Sequence, residues 1–117
     1  MTERLIYLVF SNPISEDRLG EFHTWYDEVH IPEVLALPGF VSAQRIALRP
    51  TEFAKATEPT QRFGAIYEIE GDPDEVMARV SEGTRNGTIH MTDALDPTSF
   101  QMAFWSPRGE KVQAEKL

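Results

Sequence analysis

The sequence predicts an α+β sandwich: a four-stranded antiparallel sheet with two helices on one of its faces. Three observations carry this. Hydrophobic periodicity switches between strand-like and helix-like along the chain in the order β-α-β-β-α-β. Each half reads as one β-α-β unit, and right-handed crossovers would place both helices on the same face. The chain has 117 residues, which suits one core and leaves no room for a second. Together these describe a ferredoxin-like sandwich spanning residues 1–110, followed by a polar tail over 111–117.

The first strand is Arg4–Ser11. It contains the unbroken apolar run Leu5-Ile6-Tyr7-Leu8-Val9-Phe10, as a strand covered on both faces requires. Asn12-Pro13 breaks it. Ser15 is a candidate N-cap, with Glu16 and Asp17 in the first helical turn. Wound at about 100° per residue, the helix that follows aligns Leu19, His23, Tyr26 and His30 on one stripe. Phe22 and Val29 flank that stripe, and Trp25 lies at its far edge. Pro32 disfavours helical geometry at Ile31, so the helix should end or kink near His30, with a short turn over 32–37. Pro38-Gly39 marks a turn.

Phe40–Arg49 is a second strand, polar enough for an edge. Residues 50–60 form a loop. Gln61–Glu70 is a third strand, with Phe63, Ala65, Tyr67 and Ile69 on one face. Asp72-Pro73-Asp74-Glu75 opens the second helix with an N-cap and a proline at the first position. Val76, Met77 and Val80 give it an inner face, and Gly83 or Gly87 can end it. Arg85–Pro97 is a connector with one expected helical turn at Thr92–Leu95. Thr98–Trp105 closes the sheet.

Strands 1 and 3 are the most apolar and belong at the centre. Helices cover one sheet face only, so the other apolar face of strand 1 needs a cover. A second copy of the same face is the simplest, which predicts a homodimer.

Bulk properties narrow the function. The net charge is −8 and no basic patch is visible, so nucleic acid is not an expected partner. No apolar run reaches the length of a membrane span, so neither is a membrane. Met1–Arg4 leads directly into a strand-like segment, so no signal peptide is expected. The chain lacks cysteine, which removes disulfides, thiol nucleophiles and thiolate metal sites. A cytoplasmic location is the expectation.

The segment Trp25-Tyr26-x-x-x-His30-x-Pro32, followed by Pro38-Gly39-Phe40, resembles the EthD-like group of the dimeric α+β barrel superfamily. The closing segment Asp96-Pro97-Thr98-Ser99-Phe100 with Phe104-Trp105-Ser106-Pro107 is similar to the last strand of that group. The resemblance implies a dimeric barrel with a small-molecule pocket between sheet and helices in each subunit. The group's relatives include isomerases, cyclases, dehydratases, cofactor-independent monooxygenases and haem-using enzymes, so fold alone does not settle function.

Two imidazoles on an apolar stripe need hydrogen bonds or a function. His30 is the candidate general acid/base; the plain alternative is a histidine capping the helix end. Helix C-terminus and neighbouring carboxylates favour its charged form, and burial favours the neutral one. His23, Tyr26, Tyr7, Tyr67 and Trp25 are candidate ligand-binding residues, each with core packing as its alternative. His90 sits in the connector, either near a pocket mouth or solvated. His23-x-x-x-Asp27-x-x-His30 offers three possible metal ligands but no recognised metal spacing, so neither a metal nor another cofactor is expected. The leading expectation is a cofactor-free lyase or isomerase acting by proton transfer on an aromatic or polyketide-like carbonyl compound. A cofactor-independent monooxygenase and a non-catalytic binder or sensor of a small hydrophobic ligand are the alternatives.

Overall fold

A computed structural model describes residues 4–115. Residues 1–3, on which the signal-peptide expectation falls, and residues 116–117 of the polar tail lie outside the described part. The elements are β1 (Arg4–Ser11), a 3-10 turn (Glu16–Arg18), α1 (Leu19–Trp25), a π turn (Tyr26–His30), α2 (Ile31–Leu35), β2 (Phe40–Ala47), β3 (Phe63–Glu70), α3 (Pro73–Asn86) and β4 (Gln101–Trp105). The four strands form one antiparallel sheet in the order β2-β3-β1-β4, with β1 and β3 central as expected.

The pleat decides which face each residue serves. Leu5, Tyr7 and Val9 of β1 are buried with Ala65, Tyr67 and Ile69 of β3. They meet Phe22, Trp25, Tyr26 and Val34 of the first helical segment and Val76 of α3 to make the core. Ile6, Leu8 and Phe10 point to the opposite face and are half-exposed.

The first helical segment departs from expectation. It does not end near His30 but runs from Glu16 to Leu35, with its regular α winding interrupted by the π turn over Tyr26–His30. The Ile31 N–H donates to the Tyr26 carbonyl, five residues back. This wide π turn accommodates Pro32, which has no N–H to offer and a ring that would crowd a regular α turn. It also restores phase. At about 100° per residue, Val34 would lie about 80° away from Tyr26. The extra residue taken up by the wide turn brings Val34 back onto the buried side. The buried sector is therefore Phe22, Trp25, Tyr26 and Val34, with His30 stacked beside Trp25, and not the stripe through Leu19 and His23.

Ser15 occupies the N-cap position, but its hydroxyl makes no capping bond. α3 starts as its sequence requires: Asp72 caps it through the Asp74 N–H, and Pro73 holds the first position. Gly87 ends it with φ of 87°, a left-handed conformation that favours glycine. Gly83 stays inside the helix and is buried, because Ile89 folds back against it.

The helical turn expected at Thr92–Leu95 is absent. Leu95 instead bridges to Pro13, and the Ala94 carbonyl accepts the Ile14 N–H at 2.7 Å. Asp93 also pairs with Arg18 at 2.6 Å, so the connector is fastened to the start of the helical segment. From Ser106 to Glu115 the chain is exposed, without helix or strand. No described helix is long and apolar enough to cross a membrane.

Candidate functional site

A cavity of about 230 Å³ lies between the sheet and the helices. β1 and β3 supply its floor with Tyr7, Val9 and Tyr67. Trp25, Tyr26, His30 and Val34 come from the first helical segment, Met77, Val80 and Thr84 from α3, and Met91 from the connector. Phe40, Phe100 and Met102 complete the lining, which contains no Lys, Arg, Asp or Glu.

The floor is an aromatic row across the sheet. Phe40 of β2 packs edge-on against Tyr67 of β3 at 5.7 Å. Tyr67 stacks with Tyr7 of β1 at 5.4 Å, and Tyr7 stacks with Phe104 of β4 at 4.6 Å. One ring per strand results from side chains that share the helix-facing parity. Burial pushes the Tyr7 phenol up to about 12 and raises Tyr26 and Tyr67 as well. All three hydroxyls stay protonated at neutral pH. Tyr7 donates only to the Met102 sulfur, at 3.5 Å, which is a weak acceptor.

His30 is on the cavity wall. Its Nδ1 is buried and has no hydrogen-bond partner among the described residues. Its ring stacks on Trp25 with centroids 4.5 Å apart and meets Tyr26 edge-on at 5.5 Å. The stack is a product of the π turn. Residues five apart point about 140° from each other on an α-helix, whereas a π turn superposes them. Burial pushes the imidazole down to about 4, with Glu33 opposing weakly. Of the two effects expected at this residue, burial prevails, because the helix does not end here and no carboxylate of the described residues contacts the ring. For the same reason there is no helix-end carbonyl for His30 to cap. Nor does His30 hydrogen-bond to Tyr7 or Tyr67; its neighbours in the structure are Trp25 and Tyr26.

Of the residues proposed from sequence, Tyr7, Tyr26, Tyr67, Trp25 and His30 meet at this cavity, and His23 does not. His23 faces the other side of the segment. There its Nδ1 accepts from Arg45 at 2.9 Å, and its ring meets the Phe63 ring edge-on. Burial, then the Arg45 charge, lower its pKa. Arg45 also reaches Asp27 at 3.3 Å and lies 4.5 Å from the Tyr26 ring centroid. Asp27 is thus engaged away from His30. Among the described residues no three His, Cys, Asp or Glu side chains gather as a metal site.

Sequence reasoning missed Met91, Thr84 and the contribution of Glu33. Glu33 holds the connector at His90: Oε1 accepts the His90 backbone N–H at 2.8 Å, and Oε2 lies 2.6 Å from His90 Nδ1. The His90 carbonyl accepts the Trp25 indole N–H at 2.9 Å. His90 is exposed, but it borders the site through its backbone. The contact spans 57 residues of sequence, and no local pattern announces it.

No family model matches the chain, and no curated protein matches it. Among solved structures, the chain is similar to the crystal structure of an ethyl tert-butyl ether D (EthD) family protein from Bacillus halodurans. The TM-score is 0.55 at 15% sequence identity, over 96% of this chain and 100% of that one. At that identity the likeness concerns the backbone, and it agrees with the resemblance seen around Trp25, His30 and Pro38-Gly39. The chain has the α+β fold of an EthD family protein.

Proposed function

We propose that the protein is a small-molecule enzyme that binds an uncharged aromatic or polyketide-like carbonyl compound and moves a proton on it, as a lyase or isomerase. The observation that carries this reading is the buried, unpartnered Nδ1 of His30 on the wall of an otherwise apolar cavity. A polar atom in that position is costly until a ligand bonds to it.

The chemistry follows from the protonation states. At neutral pH His30 is a neutral imidazole, with one nitrogen able to donate and the other to accept. The tyrosine hydroxyls are donors that can face a carbonyl oxygen as it gains negative charge. On its own His30 is a weak base. An enolate or phenolate forming beside it supplies the counter-charge that an imidazolium requires there. The lining has no cation to hold a carboxylate or phosphate, which favours a neutral ligand.

The protein is further proposed to act as a homodimer. The half-exposed face of Ile6, Leu8 and Phe10 is apolar and has no helix over it, and a second copy would cover it.

The test of catalysis is His30→Ala and His30→Gln on a substrate found by mass spectrometry of compounds extracted from the purified protein. Both variants should fold and bind, and both should lose on the order of 10²–10⁴ in rate. Full turnover by either variant would sink the acid/base role. A second reading is a non-catalytic binder of a small hydrophobic molecule. It is favoured by one observation: Glu33 is bonded to His90, so no carboxylate orients His30 as a catalytic base. Tight ligand binding with no turnover in the wild type would select it.

A further inference from the structure

The connector between α3 and β4 is fastened to the first helical segment at Glu33. Both carboxylate oxygens engage residue 90: one accepts the backbone N–H at 2.8 Å, and the other lies 2.6 Å from the ring Nδ1. Residue 90 passes the constraint on, because its carbonyl accepts the Trp25 indole N–H at 2.9 Å. Trp25 in turn stacks on His30 at 4.5 Å. The chain of contacts leaves the helical segment at Glu33 and returns to it at Trp25 and His30. Flanking residues fit this arrangement. Ile89 is buried against Gly83, and Met91 lines the cavity.

The ring half of the Glu33–His90 contact is at the surface, with the His90 side chain 64% exposed. A surface contact of that kind adds little to stability. The backbone half does something different. By fixing the His90 N–H, it fixes the peptide plane at which the connector turns. It thereby helps to set where the His90 carbonyl meets the indole.

We propose that Glu33 is a positioning residue for the candidate site: it fixes residue 90, which holds Trp25 against His30 and keeps Met91 on the cavity wall. This rests on the reading of the cavity as a ligand site. It adds a residue that touches neither the cavity nor His30.

The test uses the full chain carrying Trp105→Phe, which leaves Trp25 as the sole tryptophan. Indole N–H exchange and the His30 ring resonances are followed by NMR. Glu33→Ala should speed exchange of the Trp25 indole proton by about tenfold or more, as the bond to His90 opens more often. It should also remove the ring-current displacement that Trp25 imposes on His30. Glu33→Gln keeps an acceptor for the His90 N–H and should restore both signals. Amides of β1 and β3 should remain protected in all three proteins. Unchanged indole exchange and unchanged His30 shifts in Glu33→Ala overturn the proposal. So does a change accompanied by lost protection throughout β1 and β3, which would make Glu33 a general stabiliser. Failure of the ligand reading looks different: these signals are present in Trp105→Phe but unmoved by 1-naphthol or acetophenone.

Discussion

His30 titrates differently in the folded and unfolded chain. Burial pushes the folded imidazole down to about 4, against an ordinary value of 6.5. Between those values the unfolded chain carries the proton and the folded one does not, so stability falls as pH drops through this window. Fully developed, the effect is about 3 kcal/mol. His23 is shifted in the same direction. Carboxylates held low in the fold, such as Glu33 and Asp93, add their own loss only from the acid end of this window downward, because their unfolded values are 4.5 and 3.8. Urea unfolding at pH 7, 5.5 and 4.5 should show the loss in the wild type and a distinctly flatter profile in His30→Leu; equal slopes would contradict the burial of His30. The sequence exposed this residue, because a histidine beside Trp25-Tyr26 and ahead of Pro32 stands out on a buried helix. It also promoted His23, which the structure pairs with Arg45. Regular winding at about 100° per residue puts His23 and His30 on one stripe, whereas the structure sets His23 beside Arg45 and Phe63.

At the level of elements, strands and helix starts were legible because their signals are local. Alternation marked β3, an unbroken apolar run marked β1, and Asp72-Pro73 marked the start of α3. The π turn was legible only as a disturbance at Pro32, because its cause is the phase of Val34 against the distant sheet. The connector was illegible as a piece of the site, because Glu33 and His90 meet only in three dimensions. Gly83 now explains how the connector is seated. A Cβ at this position would lie 2.5 Å from the Ile89 side chain. Gly83→Ala gains helix propensity but overpacks that contact, and the second effect should dominate at about 1–3 kcal/mol. Thermal unfolding checks the sign. A more stable Gly83→Ala would show that Ile89 can move aside freely.

For the whole molecule, the sheet has two unequal faces. One carries the aromatic row and the cavity. The other carries Ile6, Leu8 and Phe10 of β1, and in register with them Ile66 of β3 and Ala103 and Trp105 of β4. The sequence showed that β1 was apolar on both sides, but not which parity the helices would take. The structure resolves that, so the substitution can now be chosen. Leu8→Asp places a carboxylate opposite Ile66 and Ala103. In a sealed dimer the charge would be buried without a partner, at a cost of several kcal/mol. Sedimentation at micromolar concentration should find a dimer for the wild type and a monomer for Leu8→Asp. A monomeric wild type would remove the dimer from the proposal.

The wide turn between Tyr26 and His30 has a consequence for how this chain tolerates change in length. It holds one residue more than a regular helix needs to bring Val34 back to the core. Deleting Glu28 should therefore let the segment anneal into plain α-helix without rotating its two ends out of register, although Pro32 would then sit less comfortably. The shortened protein should still fold, with the circular dichroism of its parent. It should also keep Trp25 and His30 on one face, since the two would then stand four residues apart on a plain helix, about 40° from each other. A deletion at this one place would shorten the scaffold and leave the facing of its site in place.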